Sequence, residues 1–241
     1  MSKIEGDLPN QLQTVLQRIE AATLAAARPA HSVRLLAVSK TYGLDAVLAA
    51  ARCGQSAFGE NYVQEAVEKI IALRGCGNAL GSAALEWHMI GPLQSNKTRL
   101  VAEHFDWVHT LDRLKLAQRL SEQRPAHLAP LQVCIQVNVD AAQTKAGVAP
   151  GEALALARAV SALPRLQLRG LMCMPDATPN FVAAHALFMR AASLFTSVKQ
   201  AEPGWPQWDT LSMGMSADLE PAVHAGSTMV RVGTAIFGVR D

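Results

Sequence analysis

The sequence predicts a single (β/α)8 barrel, a TIM barrel, with one additional helix at its N-terminus. Three observations lead there. Eight short apolar runs recur along the chain, stretches of helical composition separate them, and 241 residues accommodate eight strand-helix units of about 30 residues each. Strands that alternate with helices pair in parallel, because a helical crossover returns the chain to the same end of the sheet. A doubly wound open sheet is the competing topology, since strand pattern alone separates the two poorly.

Leu8, Leu12, Val15, Leu16 and Ile19 recur at helical spacing, alanines carry the segment to Ala27, and Pro29 closes it. This is the extra helix, within residues 1–30. Val33 to Val38 is the first apolar run, ending at Ser39-Lys40, and Leu44 to Cys53 returns to helical composition before Gly54. Further strands are expected at Ala57-Phe58, Trp87 to Ile90, Trp107 to Thr110, Val133 to Val139, Leu166 to Leu171, Thr210-Leu211 and Met229 to Val232. The helices between them are Tyr62 to Leu73, Lys97 to His104, Arg113 to Glu122, Gly151 to Ala162, Phe181 to Gln200 and Ala217 to His224. The glycines from Gly75 to Gly81 follow a helix rather than a strand, which argues for a connection and against a nucleotide loop. Pro203 to Pro206 is a turn-rich connection, and with no long linker, residues 1–241 are expected to form one domain.

Half of the residues are hydrophobic and 17% are charged, which excludes disorder as a description of the chain. A net charge of +2 does not make nucleic acid or anionic membrane the expected partner, so a small-molecule site is favoured. The four cysteines lie far apart with no CxxC pair, as reduced thiols in a cytoplasm would. Residues 1–9 carry Glu5 and Asp7 and no apolar stretch, so neither a signal peptide nor a transit sequence is expected there. No unbroken run of about 18 apolar residues appears, and no membrane span is expected.

In a parallel barrel, the residues that follow each strand converge on one face despite long separation in sequence. Lys40, directly after the first run, protrudes into that mouth or is a solvated surface lysine. Asn61, in Phe58-Gly59-Glu60-Asn61-Tyr62, either contacts a ligand or caps a helix; Ser95, Asn96 and Asp112 carry the same ambiguity in the loops after His88 and His109. The seven histidines form no HxH or HExxH pair and there is no GxSxG elbow, so metal catalysis and serine hydrolysis are not expected. After the last two strands come Ser212-Met213-Gly214-Met215-Ser216 and Gly233-Thr234, where barrels often bind phosphate through free backbone amides at a short helix. Tight turns are the alternative. Strands eight and one adjoin in a closed barrel, so one ligand could touch both this cradle and Lys40. Pyridoxal phosphate meets that requirement: its aldehyde condenses with an amine, its phosphate takes backbone amides, and its ring nitrogen takes a partner such as Arg231.

Ala37-Val38-Ser39-Lys40-Thr41, Phe58 to Glu65, Trp87 to Lys97, Leu211 to Asp218 and Gly226 to Gly238, in that order, closely resemble the pyridoxal phosphate homeostasis protein family. The similarity runs from about Val33 to Asp241. The resemblance implies a barrel related to the N-terminal domain of alanine racemase, with Lys40 as the Schiff-base lysine. By the same matching, Ser216, Gly233 and Thr234 are implied as phosphate contacts and Arg231 as the partner of the pyridine nitrogen, with Ser212 and Asn61 as weaker additions. It further implies a protein that binds the cofactor without established turnover and acts in vitamin B6 and amino-acid homeostasis; a cytoplasmic monomer is expected, with apo-enzymes as recipients of the cofactor.

Two residue-level arguments agree with a non-enzymatic role. An arginine keeps its protons and cannot protonate the ring, which weakens the cofactor as an electron sink. Eight units consume the chain, so the second domain that completes a racemase site is expected to be absent. A small pyridoxal phosphate-dependent amino-acid racemase is the alternative.

Overall fold

The structure, a computed structural model, describes residues 3–75, 85–140, 145–178 and 180–238. Eight parallel strands close in sequence order into a barrel, which decides against the open sheet. They are β1 (Arg34–Val38), β2 (Ala57–Glu60), β3 (Glu86–Met89), β4 (Trp107–Leu111), β5 (Leu131–Gln136), β6 (Leu166–Met172), β7 (Thr210–Ser212) and β8 (Met229–Val232). Closure is made by β8 pairing with β1, where Leu36 lies beside Arg231 and Ala37 beside Val232. The helices are α1 (Lys3–Ala25), α2 (Leu44–Arg52), α3 (Val63–Gly75), α4 (Thr98–His104), α5 (Leu114–Gln123), α6 (Ala153–Ser161), α7 (Phe181–Ala201), α8 (Leu219–His224) and α9 (Thr234–Phe237).

The extra helix is α1, which lays Leu8, Leu12, Val15, Ile19 and Ala22 against α2, α8 and α9. Leu16, counted with that face in the sequence, is 41% exposed. Pro29 does not end α1. Ala27 takes a left-handed conformation (φ 53°), and Arg28 N–H donates to Thr23 O while Ala27 N–H donates to Leu24 O. That closing pattern satisfies two of the last carbonyls, with alanine standing where glycine is usual.

Three expected caps are not made. Asp112 bonds the Arg113 guanidinium and leaves the start of α5 to Arg113, which offers no side-chain cap. At Ser95 and Asn96 the chain is already in a short 3₁₀ turn, with Gln94 at the cap position and no side-chain cap. The short polar residues were placed correctly, but the chain entered each helix one residue away. Apart from Gly75, the glycine-rich connection expected at Gly75 to Gly81 lies outside the described residues.

The main apolar layer lies between sheet and helices, from Phe58 and Val108 outward to Leu120, Val160 and Phe188. Each such fully buried side chain contributes roughly 1.5–3 kcal/mol. Inside the barrel are two small clusters, Leu36, Ala57 and Met229, and Trp107, Cys134 and Met172. Between them lie polar side chains, among them His88, His109, Ser212 and Arg231. Helix α7 is, among the described residues, long and apolar enough by composition to cross a membrane. Its Ala184, Phe188, Ala191 and Val198 are buried, and it packs on β6 and α8.

Candidate functional site

Lys40 stands just past β1, half-buried at the carboxyl end of the barrel. The backbone on both sides of it is pinned. Ser39 is fully buried; its hydroxyl donates to Glu60 Oε1 at 2.7 Å, and its carbonyl accepts from Lys69 Nζ at 2.9 Å. Lys69, itself buried, ion-pairs with Glu60 at 2.8 Å and Glu65 at 2.6 Å. Burial pushes the Glu60 carboxyl up, against the Lys69 charge that pulls it down. Thr41 adopts φ 64°, a strained choice for a β-branched residue, and its N–H donates to Glu65 Oε1 at 2.7 Å. Glu60, Glu65 and Lys69 therefore fix the loop from which Lys40 projects. In the sequence Glu60 stood out only as a neighbour of Asn61 and Glu65 only within a resemblance segment, and Lys69 carried no signal beyond its helix.

The loops after β7 and β8 form the adjoining wall. Gly214 has φ 92°, and a Cβ there would lie 2.5 Å from that of Ala222, so the turn requires glycine. Met215 N–H donates to Asp218 Oδ1 at 2.6 Å, and Ser216 O accepts from Arg18 of α1 at 3.1 Å. Gly233 precedes α9. A Cβ on it would lie 3.1 Å from Val38 O and 3.3 Å from Val38 Cβ, so the two strand ends meet closely, with little room for a side chain. Thr234, exposed, begins α9.

Arg231 and Ser212 face the axis. Arg231 is buried, donating through Nη1 to Ser212 O and Oγ, both at 2.8 Å, and through Nη2 to Cys173 O at 3.0 Å. Asn61 lies beyond β2, half-buried beside the exposed Tyr62 in a cleft that includes Gln64, Pro92 and Lys97. The seven candidate residues thus share one arc of four neighbouring strands, β7, β8, β1 and β2. No side-chain cap by Asn61 is present among the described residues.

His88 and His109 lie within β3 and β4, inside the strands expected at Trp87 to Ile90 and Trp107 to Thr110, and both are fully buried. His88 Nε2 is 2.6 Å from Glu86 Oε1, His88 Nδ1 is 2.9 Å from His109 Nε2, and His109 Nδ1 is 2.9 Å from Ser212 Oγ. A signal existed: Glu86, His88 and His109 occupy alternate, same-face positions of their strands.

Burial, then the charges of His88, Arg231 and Arg34, drive His109 well below its ordinary 6.5. Below pH 6.5 an unfolded chain gains a proton at His109 that the fold refuses, so stability is complete above that pH and falls as pH drops. The slope is about 1.4 kcal/mol per pH unit. Urea unfolding at pH 7.5 and 5.5 should show a smaller acid loss in His109→Phe than in the unaltered protein. Equal losses would refute a neutral buried His109.

The model of the alanine racemase N-terminal domain matches residues 14–241. The chain belongs to that family. Within it, the chain is 53% identical over 234 residues to the pyridoxal phosphate homeostasis protein of Vibrio cholerae serotype O1, covering 97% of each. Among solved structures it is similar to PipY of Synechococcus elongatus PCC7942 with pyridoxal phosphate bound, with a TM-score of 0.77 and 37% identity, covering 91% of this chain and 98% of that one. Alanine racemase of Clostridium difficile 630 shares the fold, with a TM-score of 0.65 at 16% identity over 93% of this chain and 56% of that one. The alanine racemase N-terminal domain family thus joins this chain to cofactor-homeostasis proteins at high identity and to a racemase at the level of fold.

Proposed function

We propose that this chain binds pyridoxal 5'-phosphate and acts in the homeostasis of that cofactor and of amino acids in the cytoplasm, without turning over a substrate of its own. The observation that carries the reading is the contact between strand ends: Lys40 follows β1, and Gly233 is packed closely on Val38 of the same strand. That contact supports an amine beside the loop that we assign to the phosphate, as one phosphorylated aldehyde requires.

When bound, pyridoxal phosphate supplies an electrophilic carbonyl and an electron-withdrawing ring. Lys40 holds it covalently. Ser216, Gly233 and Thr234 take the phosphate through hydroxyls and the first-turn amides of α9, with Asn61 at the rim. Arg231, backed by Ser212, meets the ring nitrogen. Burial draws Arg231 down from its ordinary 12.5, but a guanidinium surrounded only by acceptors keeps its charge and gives the nitrogen no proton.

Racemisation would need a second acid or base across from Lys40. The Cys173 thiol and the Tyr62 hydroxyl are the groups to weigh for that role: burial pushes the thiol up to about 12, and Tyr62 is 56% exposed. A buried thiol held in its neutral form is a poor base, and an exposed tyrosine is not packed against the cofactor site. The names of the relatives support the same reading, whereas the racemase alternative is supported by fold alone. As a monomeric, single-domain cofactor protein, the chain would have apo-enzymes as its natural recipients.

The test incubates loaded protein with each L-amino acid in deuterated water and follows the α-proton by NMR. Exchange no faster than with free cofactor is expected. Faster exchange that disappears in Lys40→Ala would establish the racemase instead.

A further inference from the structure

The polar file inside the barrel has a direction. At one end, Arg231 Nη1 can only donate, and it does so to Ser212 Oγ at 2.8 Å. At the other end, Glu86 Oε1 receives His88 at 2.6 Å and Arg34 Nη2 at 2.9 Å. Burial pushes the Glu86 carboxyl up, but the hydrogen bond and charge of His88, with Arg34, outweigh this and hold it at about 2, an acceptor at neutral pH.

Those two ends dictate every proton between them. Ser212 Oγ accepts from Arg231, so its own hydrogen goes to His109 Nδ1. His109 then carries its proton on Nε2 and donates to His88 Nδ1, and His88 donates through Nε2 to Glu86. Both imidazoles are neutral and all four contacts are satisfied. The opposite tautomers would set a bare His88 nitrogen against the carboxylate and two donors against Ser212. The bond from His109 on β4 to Ser212 on β7 spans the barrel interior, where low dielectric strengthens each link and makes an unmatched one costly.

We propose that Glu86, His88 and His109 are positioning residues that act through Ser212 to hold Arg231 in the orientation that meets the cofactor ring. The proposal rests on the reading of Arg231 given above. The relay starts where solvent can reach it: Glu86 is only partly buried and lines a cleft of about 430 Å³ with Arg34, Asp106, Arg124 and Arg169, at the end of the barrel remote from Lys40. The ring end of the site is thereby tied to the opposite rim.

The test pairs His109→Phe, which fills the space without hydrogen bonds, with His109→Gln, which can accept and donate, and with Arg231→Gln. Readouts are the visible absorption maximum of the bound cofactor, its dissociation constant and thermal unfolding. His109→Phe should shift the maximum and weaken binding about 3- to 30-fold, the range of coupling through a contiguous network. His109→Gln should recover part of both, and His109→Phe should add nothing once Arg231→Gln is present. A folded His109→Phe with unchanged spectrum and affinity, or full additivity with Arg231→Gln, overturns the relay while leaving Arg231 at the ring. A silent Arg231→Gln overturns the assignment of Arg231 itself, and the relay with it. Should His109→Phe fail to fold, imidazole nitrogen-15 shifts of the unaltered protein decide: protons on Nε2 of both histidines sustain the relay, and an Nδ1 proton on either overturns it.

Discussion

Lys40→Ala is expected to fold normally and to lose all borohydride-fixed pyridoxal phosphate, with the reduced adduct of the unaltered protein mapping to the Lys40 peptide. The loop should survive because its neighbours hold it, Ser39 through Glu60 and Lys69, and Thr41 through Glu65. The phosphate contacts remain, so weak, reversible binding should persist, reduced by 10²-fold or more, about 2.7 kcal/mol. Lys69 is not a substitute, being buried and paired with two carboxylates. A reducible visible band of full intensity in Lys40→Ala would place the amine elsewhere.

Substitution at Gly233 should discriminate between the phosphorylated and unphosphorylated forms of the cofactor. A single methyl in Gly233→Ala meets Val38 O at 3.1 Å, tight enough to need a shift of a few tenths of an ångström, and should have a small effect. Gly233→Val adds two more carbons against the end of β1 and turns the first amides of α9 away from their ligand. Losing one or two charge-assisted hydrogen bonds at roughly 1.5–3 kcal/mol each weakens pyridoxal phosphate by 10- to 10²-fold or more. Unphosphorylated pyridoxal should change little in the same titration. Equal losses for both forms, with lowered thermal stability, would show that Gly233 serves β1–β8 packing and not the phosphate.

Local patterns located most of the architecture. Strand β8 was placed at its observed limits, and β1, β3 and β6 within one residue at each end, because inward and outward faces of these strands both carry enough apolar residues to register as runs. Helix entries were less legible. Asp112, Ser95 and Asn96 are the right residue types for caps, yet the backbone turned one residue earlier or later, and a cap depends on that dihedral rather than on composition. The histidines fell inside the expected strands, but their link across the barrel was not legible. A search for apolar runs does not say which face His88 and His109 take, whereas a barrel with polar residues on its axis puts them on alternate positions inside the strands.

By itself, the sequence determined the strand-helix alternation, the family and the arc of strand-end residues that includes Lys40, Arg231 and Gly233. Those features are written in local periodicity and short motifs. Only the tertiary structure decided that β8 closes on β1, that Glu60 and Lys69 brace the loop beneath Lys40, and that Glu86, His88, His109, Ser212 and Arg231 join in one file. The physical reason is range. His109 and Ser212 are 103 residues apart, and a hydrogen bond of 2.9 Å between them depends on strand register and barrel shear, quantities set by the whole closed sheet and by no segment of it.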